Sequence, residues 1–191
     1  MAQEVRPFSH RIHLKLKPAC VSCHSSVLSS TKMEDDNLPR KEVCQPCHQD
    51  AVIKRPAETM LSRFNHALHA KMGNLAPVIA AAIDRKTYLS DPAGIRRHLE
   101  TKNACGACHR GLEQSDRVTK AAFPQMADCL VCHNKIDPPF SCEKCHSESA
   151  KLKPASHTSG YVDFHSSGKA NLDKASCAVC HGRRFTCMGC H

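Results

Sequence analysis

The stretch FSHRIHLKLKPACVSCH, Phe8 to His24, contains the two patterns that decide the fold. It ends in a C-x-x-C-H pentapeptide, and it begins with two histidines three residues apart. The pentapeptide occurs seven times and uses all 14 cysteines of the 191-residue chain. The seven motifs are Cys20-Cys23-His24, Cys44-Cys47-His48, Cys105-Cys108-His109, Cys129-Cys132-His133, Cys142-Cys145-His146, Cys177-Cys180-His181 and Cys187-Cys190-His191.

C-x-x-C-H is the attachment signature of c-type haem, because two thiols bind the porphyrin covalently and the following imidazole coordinates the iron. A disulfide framework gives no reason for a histidine after each second cysteine. Structural zinc usually takes two C-x-x-C pairs per ion, so one of seven pairs would be left over. A redox C-x-x-C would occur once, near a βαβ pattern. The sequence therefore predicts seven covalently bound haem c groups.

Seven further histidines remain as candidates for the second axial position of each iron. Their number also matches the number of motifs within each segment: two up to about residue 60, three to about residue 150, and two beyond it. The six methionines show no regular placement relative to the motifs, so we interpret them as packing residues rather than ligands. We predict bis-histidine, low-spin iron of low potential, with surface or core histidines as the alternative for individual members. The seven candidates are His10, His13, His66, His69, His98, His157 and His165.

Internal repeats indicate how the chain is organised. HLKLKPACVSCH from His13 aligns with HLETKNACGACH from His98, and FSHRIH from Phe8 aligns with FNHALH from Phe64. The i, i+3 spacing places both imidazoles of each pair on one face of a helical turn. We expect a two-haem unit at 1–60, a three-haem unit at 61–150 and a two-haem unit at 151–191, stacked as one continuous body.

The segments between motifs are short and rich in proline, which disfavours long helices and sheets. Residues 75–85 and 94–102 have the composition of short helices, which we expect to position His98. The predicted fold class is mostly irregular with short α-helices, a multihaem cytochrome c fold wrapped around a haem chain with little or no β-sheet.

With these motifs, the chain resembles the class III multihaem c-type cytochromes, small bis-histidine proteins of metal- and sulfur-reducing bacteria. The resemblance rests on FSHRIH before CVSCH, on the repeated FNHALH and on the seven pentapeptides. It implies that each His-x-x-His pair supplies distal ligands to two different haems, so that His10 and His13 would serve the haems at Cys20 and Cys44. It also implies an electron carrier rather than an enzyme.

Charge and compartment restrict the possible partners. The net charge of +9 is offset by haem propionates, to about +2 in the fully ferric protein, and the basic residues are dispersed, which argues against nucleic acid as a partner. The longest apolar run, LAPVIAAAI from Leu75, is too short for a transmembrane segment. Because haem is attached outside the cytoplasm, we expect a periplasmic or extracellular protein whose signal peptide is not present in this chain.

Three functions of different classes remain open. The first is an electron-transfer protein that relays electrons along closely packed haems between redox proteins, such as other cytochromes or a membrane quinol-oxidising complex, or to an extracellular acceptor. The second is a repeating subunit of an extracellular cytochrome filament, or a haem subunit of that membrane complex. The third is a multihaem reductase, which the seven spare histidines disfavour because such an enzyme needs an open iron position.

Overall fold

The computed structural model describes residues 8–49, 61–133, 142–148, 150–168 and 174–181. Within these ranges the α-helices are short: α1 is His10–His13, α2 Cys20–Cys23, α3 Lys41–Cys44, α4 His66–Lys71, α5 Ala76–Asp84, α6 Met126–Leu130, α7 Tyr161–Ser166 and α8 Lys174–His181. Seven 3₁₀ turns lie at Leu14–Leu16, Ser25–Leu28, Arg96–His98, Ala104–Ala107, Leu112–Gln114, Lys120–Ala122 and Cys142–Lys144. The seventh motif, Cys187-Cys190-His191, lies outside the described residues.

The predicted fold class is confirmed: the described chain consists of short helices in irregular backbone and contains no strand. One isolated antiparallel bridge joins Leu61 to His146. In the part of the chain described, no helix has the length and apolarity needed to cross a bilayer. The two segments expected to be helical contain α5 and the 3₁₀ turn Arg96–His98, which ends at the predicted ligand.

A small alanine-rich core supports the middle of the chain. Helix α5 begins with Pro77 in its first turn, where a missing N–H costs no hydrogen bond, and it buries Ile79 at its centre. The cluster built on it joins α5 to the third and fourth motifs. Its buried members are Ala76, Ile79, Ala80, Tyr88, Ile95, Leu99, Ala107 and Ala127. Because the third motif presents the small side chain of Ala107 to this cluster, its 3₁₀ turn Ala104–Ala107 packs directly on α5.

Two sets of contacts bring the N-terminal segment onto the middle of the chain. Helix α1 packs on the turn Leu112–Gln114, where the carboxylate of Asp116 accepts hydrogen bonds from Ser9 Oγ at 2.7 Å and Arg11 Nη2 at 2.7 Å. Helix α4 packs on Ser25–Leu28, and the backbone N–H of its Ala67 donates to Ser30 O at 2.9 Å. The segments that flank the first motif therefore pack against segments that flank the third.

Candidate haem sites

Four of the predicted distal histidines face the histidine of a C-x-x-C-H motif. In two pairs the rings are nearly parallel, with interplanar angles of 11°, and in the other two they are inclined by 51° and 39°. The ring centroids are separated by 6.3 Å for His10 and His24, 6.1 Å for His13 and His48, 6.4 Å for His69 and His133, and 6.2 Å for His157 and His181.

These separations provide a test of whether the residues fit a haem. A metal–imidazole nitrogen bond is about 2.0 Å, and the ring centre lies about 1.1 Å beyond the nitrogen, so two imidazoles on opposite sides of one metal have centroids about 6.2 Å apart. The four observed separations lie between 6.1 and 6.4 Å. Direct packing of two imidazoles would bring them closer. The histidine pairs therefore fit an iron between them, with a porphyrin supplying the remaining ligands.

Hydrogen bonds orient the imidazoles for such a role. His13, His24 and His69 each hold Nδ1 at 2.8 Å from a backbone carbonyl oxygen, and His109 does so at 3.1 Å. A carbonyl oxygen can only accept, so each Nδ1 must carry the hydrogen and each Nε2 keeps its lone pair. Second-shell bonds of this kind fix the tautomer and the ring orientation of metal-ligating histidines.

The two His-x-x-His helices share one local construction around a phenylalanine. Phe8 stacks on His13 with centroids 4.3 Å apart, and Phe64 stacks on His69 with centroids 4.4 Å apart. Each phenylalanine also contacts the first histidine of its pair edge-on, His10 at 4.9 Å and His66 at 4.6 Å. The aromatic ring therefore holds both imidazoles of a pair in a defined orientation.

The residue after each phenylalanine caps the helix. Ser9 Oγ accepts a hydrogen bond from Ile12 N at 3.3 Å, and Asn65 Oδ1 accepts one from Leu68 N at 2.8 Å. The backbone carbonyls of Ser9 and Asn65 are also the acceptors for His13 and His69. The sequence reasoning did not assign roles to these residues or to the phenylalanines, although their equivalent positions in the two repeats are a signal that could have identified them.

His66 is placed near the histidine of the third motif. After burial, His109 is the strongest influence that lowers the pKa of His66. The side-chain amide nitrogen of Asn37 lies 3.5 Å from His66 Nδ1, and the backbone carbonyl of Asn37 accepts a hydrogen bond from His24 Nδ1. The helix α4 thus directs its first histidine toward the third motif and its second, His69, toward the fourth.

His98 and His165 have different surroundings. His98 Nε2 accepts from Arg97 Nε at 3.2 Å, and its Nδ1 lies 3.9 Å from Glu113 Oε1. His98 lines an open cavity of about 500 Å³ together with His109 and Gly106 of the third motif. The ring of Tyr161 is stacked parallel to that of His165 at 6.1 Å. Among the residues that the structure describes, neither histidine stacks on a second imidazole.

The cysteines of different motifs lie near one another. Cys20 hydrogen-bonds to Cys105 and also accepts from Asn103 Nδ2 at 3.1 Å. Burial raises the pKa of the Cys129 thiol to about 11, and the nearby Asp128, Cys108 and Cys145 add to this. Burial and the neighbouring Cys142 likewise raise the pKa of Cys180. The first motif therefore lies beside the third, the third and the fifth beside the fourth, and the fifth beside the sixth.

A buried ion pair lies between the third and fourth motifs. Arg110 Nη2 is 2.7 Å from Asp128 Oδ1, with the two side chains 5% and 3% exposed. Tyr88 Oη donates to the same carboxylate oxygen at 2.9 Å, and Gln125 N donates to the other at 2.7 Å. Burial and the adjacent carboxylate raise the pKa of Tyr88. The hydroxyl therefore stays protonated and acts as a donor.

The described ranges contain no cluster of three or more histidine, cysteine, aspartate or glutamate side chains able to hold a bare metal ion. The histidine pairs supply two nitrogen ligands each. An iron held between them would need further ligands, which a porphyrin would supply.

Comparison with known proteins places these features in context. A family model described as outer membrane cytochrome MtrC/MtrF-like, domains II/IV, matches residues 16–191. The match spans the seven C-x-x-C-H motifs and all the predicted distal histidines except His10 and His13. Neither the comparison with curated proteins nor that with solved structures found a match.

Proposed function

We propose a function for this chain from its family: it belongs to the outer membrane cytochrome MtrC/MtrF-like domains, which are multihaem electron-transfer cytochromes. In our proposal it binds seven haems and passes electrons along them by hopping between bis-histidine irons. The single observation that carries this proposal is the set of four imidazole pairs spaced at 6.1 to 6.4 Å, the separation expected across one metal.

In this proposal all 14 histidines of the chain are iron ligands, seven proximal and seven distal. The class III resemblance implies a distal pattern in which the two histidines of one helix serve two haems, and we propose that pattern here. His10 and His13 serve the first and second motifs, and His66 and His69 serve the third and fourth. His157 serves the sixth motif. His98 and His165 are then the proposed ligands for the fifth and seventh.

The protein residues perform three tasks in this function. The cysteines would tether the cofactor, the paired imidazoles would hold its iron, and the backbone carbonyls hold the ring orientations. Haem supplies the one-electron Fe(III)/Fe(II) couple when it is bound. An iron held by two histidines and a porphyrin would have no coordination site left for a substrate. This supports electron transfer rather than catalysis.

The contacts between motifs support a path through the molecule. His13 and His10, one helical turn apart, connect the second motif to the first. The cysteine contacts continue the path to the third, fourth, fifth and sixth motifs. Adjacent attachment points keep neighbouring porphyrins close, which is the condition for rapid hopping. The proposed order of the described motifs is therefore two, one, three, four, five, six.

Family membership indicates the compartment and the partners. Proteins of this family are extracellular-facing outer membrane cytochromes that pass electrons to other redox partners or extracellular acceptors. We propose the same setting for this chain. The sequence also allows a periplasmic location, a membrane quinol-oxidising complex as the partner, and assembly into filaments. We retain these as alternatives to the extracellular setting.

The mass of the purified, denatured holoprotein tests the proposal, because thioether-bound haem survives denaturation. We expect the mass of the polypeptide plus seven haems, and a ferric electron paramagnetic resonance spectrum composed of low-spin signals only. A mass corresponding to fewer haems, or a high-spin signal in the native oxidised protein, would contradict the heptahaem bis-histidine assignment.

A further inference from the structure

The buried ion pair of Arg110 and Asp128 has a fixed place relative to two haem-binding motifs. Arg110 directly follows His109 of the third motif, and Asp128 directly precedes Cys129 of the fourth. Arg110 Nε also donates to the backbone carbonyl of Ala107, inside the third motif, at 3.0 Å. The pair is therefore a polar connection between the two attachment loops.

Stability alone does not explain why an ion pair is buried at this position. Removing two charges from water is costly, and a buried pair can often be replaced by apolar side chains without loss of stability. The pair borders the apolar core, since Tyr88 and Ala107, which bond Asp128 and Arg110, are members of the buried cluster. At 5% and 3% exposure, salt does not screen the two charges, so they act strongly on any charge nearby.

The two charges are not equally placed with respect to the two motifs. The carboxylate belongs to the residue that precedes Cys129 of the fourth motif, and it is fixed there by Gln125 N, which caps the same helix α6 and donates to Asp128 Oδ2. The guanidinium belongs to the residue that follows His109, and its Nε is bonded to Ala107 O inside the third motif. The negative charge therefore lies on the side of the fourth motif and the positive charge on the side of the third. The fourth motif therefore experiences the carboxylate with less compensation than the third.

We propose that Asp128, held by Arg110 and Tyr88, lowers the reduction potential of the haem at Cys129 and Cys132 relative to that at Cys105 and Cys108. Negative charge stabilises ferric iron over ferrous iron, and the guanidinium offsets this on the side of the third motif. The carboxylate thus biases one electron shared by the two irons toward the third motif, with no bond formed or broken. This inference rests on the proposed attachment of haem at both motifs.

Asp128→Asn tests the proposal in the full-length holoprotein by potentiometric titration followed in the visible spectrum. The substitution removes the negative charge and leaves Arg110 uncompensated. We expect a minority of the haems to become easier to reduce, with about a tenfold higher reduced-to-oxidised ratio at a fixed ambient potential, which corresponds to about 59 mV. Potentials equal to those of the unmodified protein would overturn the proposal.

Three further variants separate charge from packing. Asp128→Glu keeps the charge and should leave the potentials near their original values, whereas equal shifts in Asp128→Glu and Asp128→Asn would overturn the proposal. Asp84→Asn removes an exposed carboxylate that is also paired with an arginine, and its potentials should not move. Arg110→Gln with Asp128→Asn removes both charges and should give a smaller upward shift than Asp128→Asn alone.

Two controls keep every outcome interpretable. If Asp128→Asn does not assemble, the double variant is compared with Asp128→Glu, and identical potentials in those two proteins would overturn the inference. The haem content of each protein is measured by mass. Fewer than seven haems in the unmodified protein would contradict the proposed function itself, whereas seven haems with unshifted potentials in the variants would contradict this inference alone.

Discussion

The axial assignment depends on single imidazoles, and His69 is the clearest one to change. Its ring faces His133 at 6.4 Å, and its Nδ1 is oriented by Asn65. In His69→Ala we expect all the haems to remain attached, because the cysteines are untouched, and one ferric iron to become high-spin because it loses its sixth ligand. Mass and electron paramagnetic resonance of the oxidised protein measure the two effects.

Leu68→Ala is the matched control for this variant, since Leu68 precedes His69 on the same helix and is 57% exposed. It should keep every iron low-spin. A fully low-spin spectrum in His69→Ala would show that His69 is not a ligand.

Asp116 makes one contact between helix α1 and the middle of the chain dependent on pH. Hydrogen bonds from Arg11 and Ser9 lower the pKa of this carboxyl below its ordinary value. The contact therefore stabilises the folded protein above the unfolded-state pKa of about 3.9 and is lost as the pH falls through the lowered folded-state pKa. We expect Asp116→Asn to be less stable than the unmodified protein at neutral pH and equally stable in strong acid.

Denaturant midpoints at a series of pH values between neutral and acid would measure this difference. The carboxylate is exposed, so the effect at neutral pH will be modest. A stability difference between Asp116→Asn and the unmodified protein that persists unchanged in acid would show that the contact acts through shape rather than charge.

At the scale of single residues, the sequence predicted what is local. The C-x-x-C-H pentapeptides and the His-x-x-His pairs could be read directly because their chemistry lies within a few neighbouring positions. The partner of His69 could not be read, because it is determined by packing between distant segments. Arg110 and Asp128 look like ordinary surface charges in the sequence, and only the tertiary structure shows that they are buried against each other.

At the scale of elements, helix α5 supports the third and fourth motifs through its buried face. Ile79 is 4% exposed, whereas its neighbour Val78 on the same helix is 42% exposed. We expect Ile79→Ala to lower the free energy of unfolding by about 2–5 kcal/mol, since it leaves a cavity in a small core. Val78→Ala should change it by no more than about 0.5 kcal/mol.

Chemical denaturation of the two holoproteins, followed by far-ultraviolet circular dichroism, would measure both values. Equal destabilisation by the two substitutions would contradict the assignment of α5 as a one-sided support. Short helices and the absence of a sheet were predicted from proline content and segment length, and the structure confirms them in the described ranges. The 3₁₀ form of Arg96–His98 was not predicted, because composition does not distinguish the two kinds of helix.

At the scale of the whole molecule, the protein has little apolar material with which to fold alone. Of the twelve buried hydrophobic residues in the described ranges, seven are alanines, while large side chains such as Leu16, Ile12 and Leu28 are exposed. We expect the same chain produced in the cytoplasm, without haem attachment, to lack stable tertiary structure, because the porphyrins must supply the missing apolar contacts. Rapid amide hydrogen exchange throughout the haem-free chain would be the expected observation.

The matched sample is the exported holoprotein, in which the amides of α5 should be protected. Strong protection of α5 in the haem-free chain would show that the alanine core folds without its cofactor. The three-unit division at 1–60, 61–150 and 151–191 stays a prediction from the sequence, since repeats indicate units but do not reveal how strongly they are joined.

Asn37 connects two of the proposed haem sites through the orientation of their histidines. Its backbone oxygen accepts a hydrogen bond from His24, and its side-chain amide lies against His66. One residue therefore contacts two imidazoles that we assign to different irons. A rotation of either ring displaces a shared anchor. The orientations of the two imidazoles should therefore be coupled. A substitution that rotates one ring should alter the magnetic anisotropy of both haem irons.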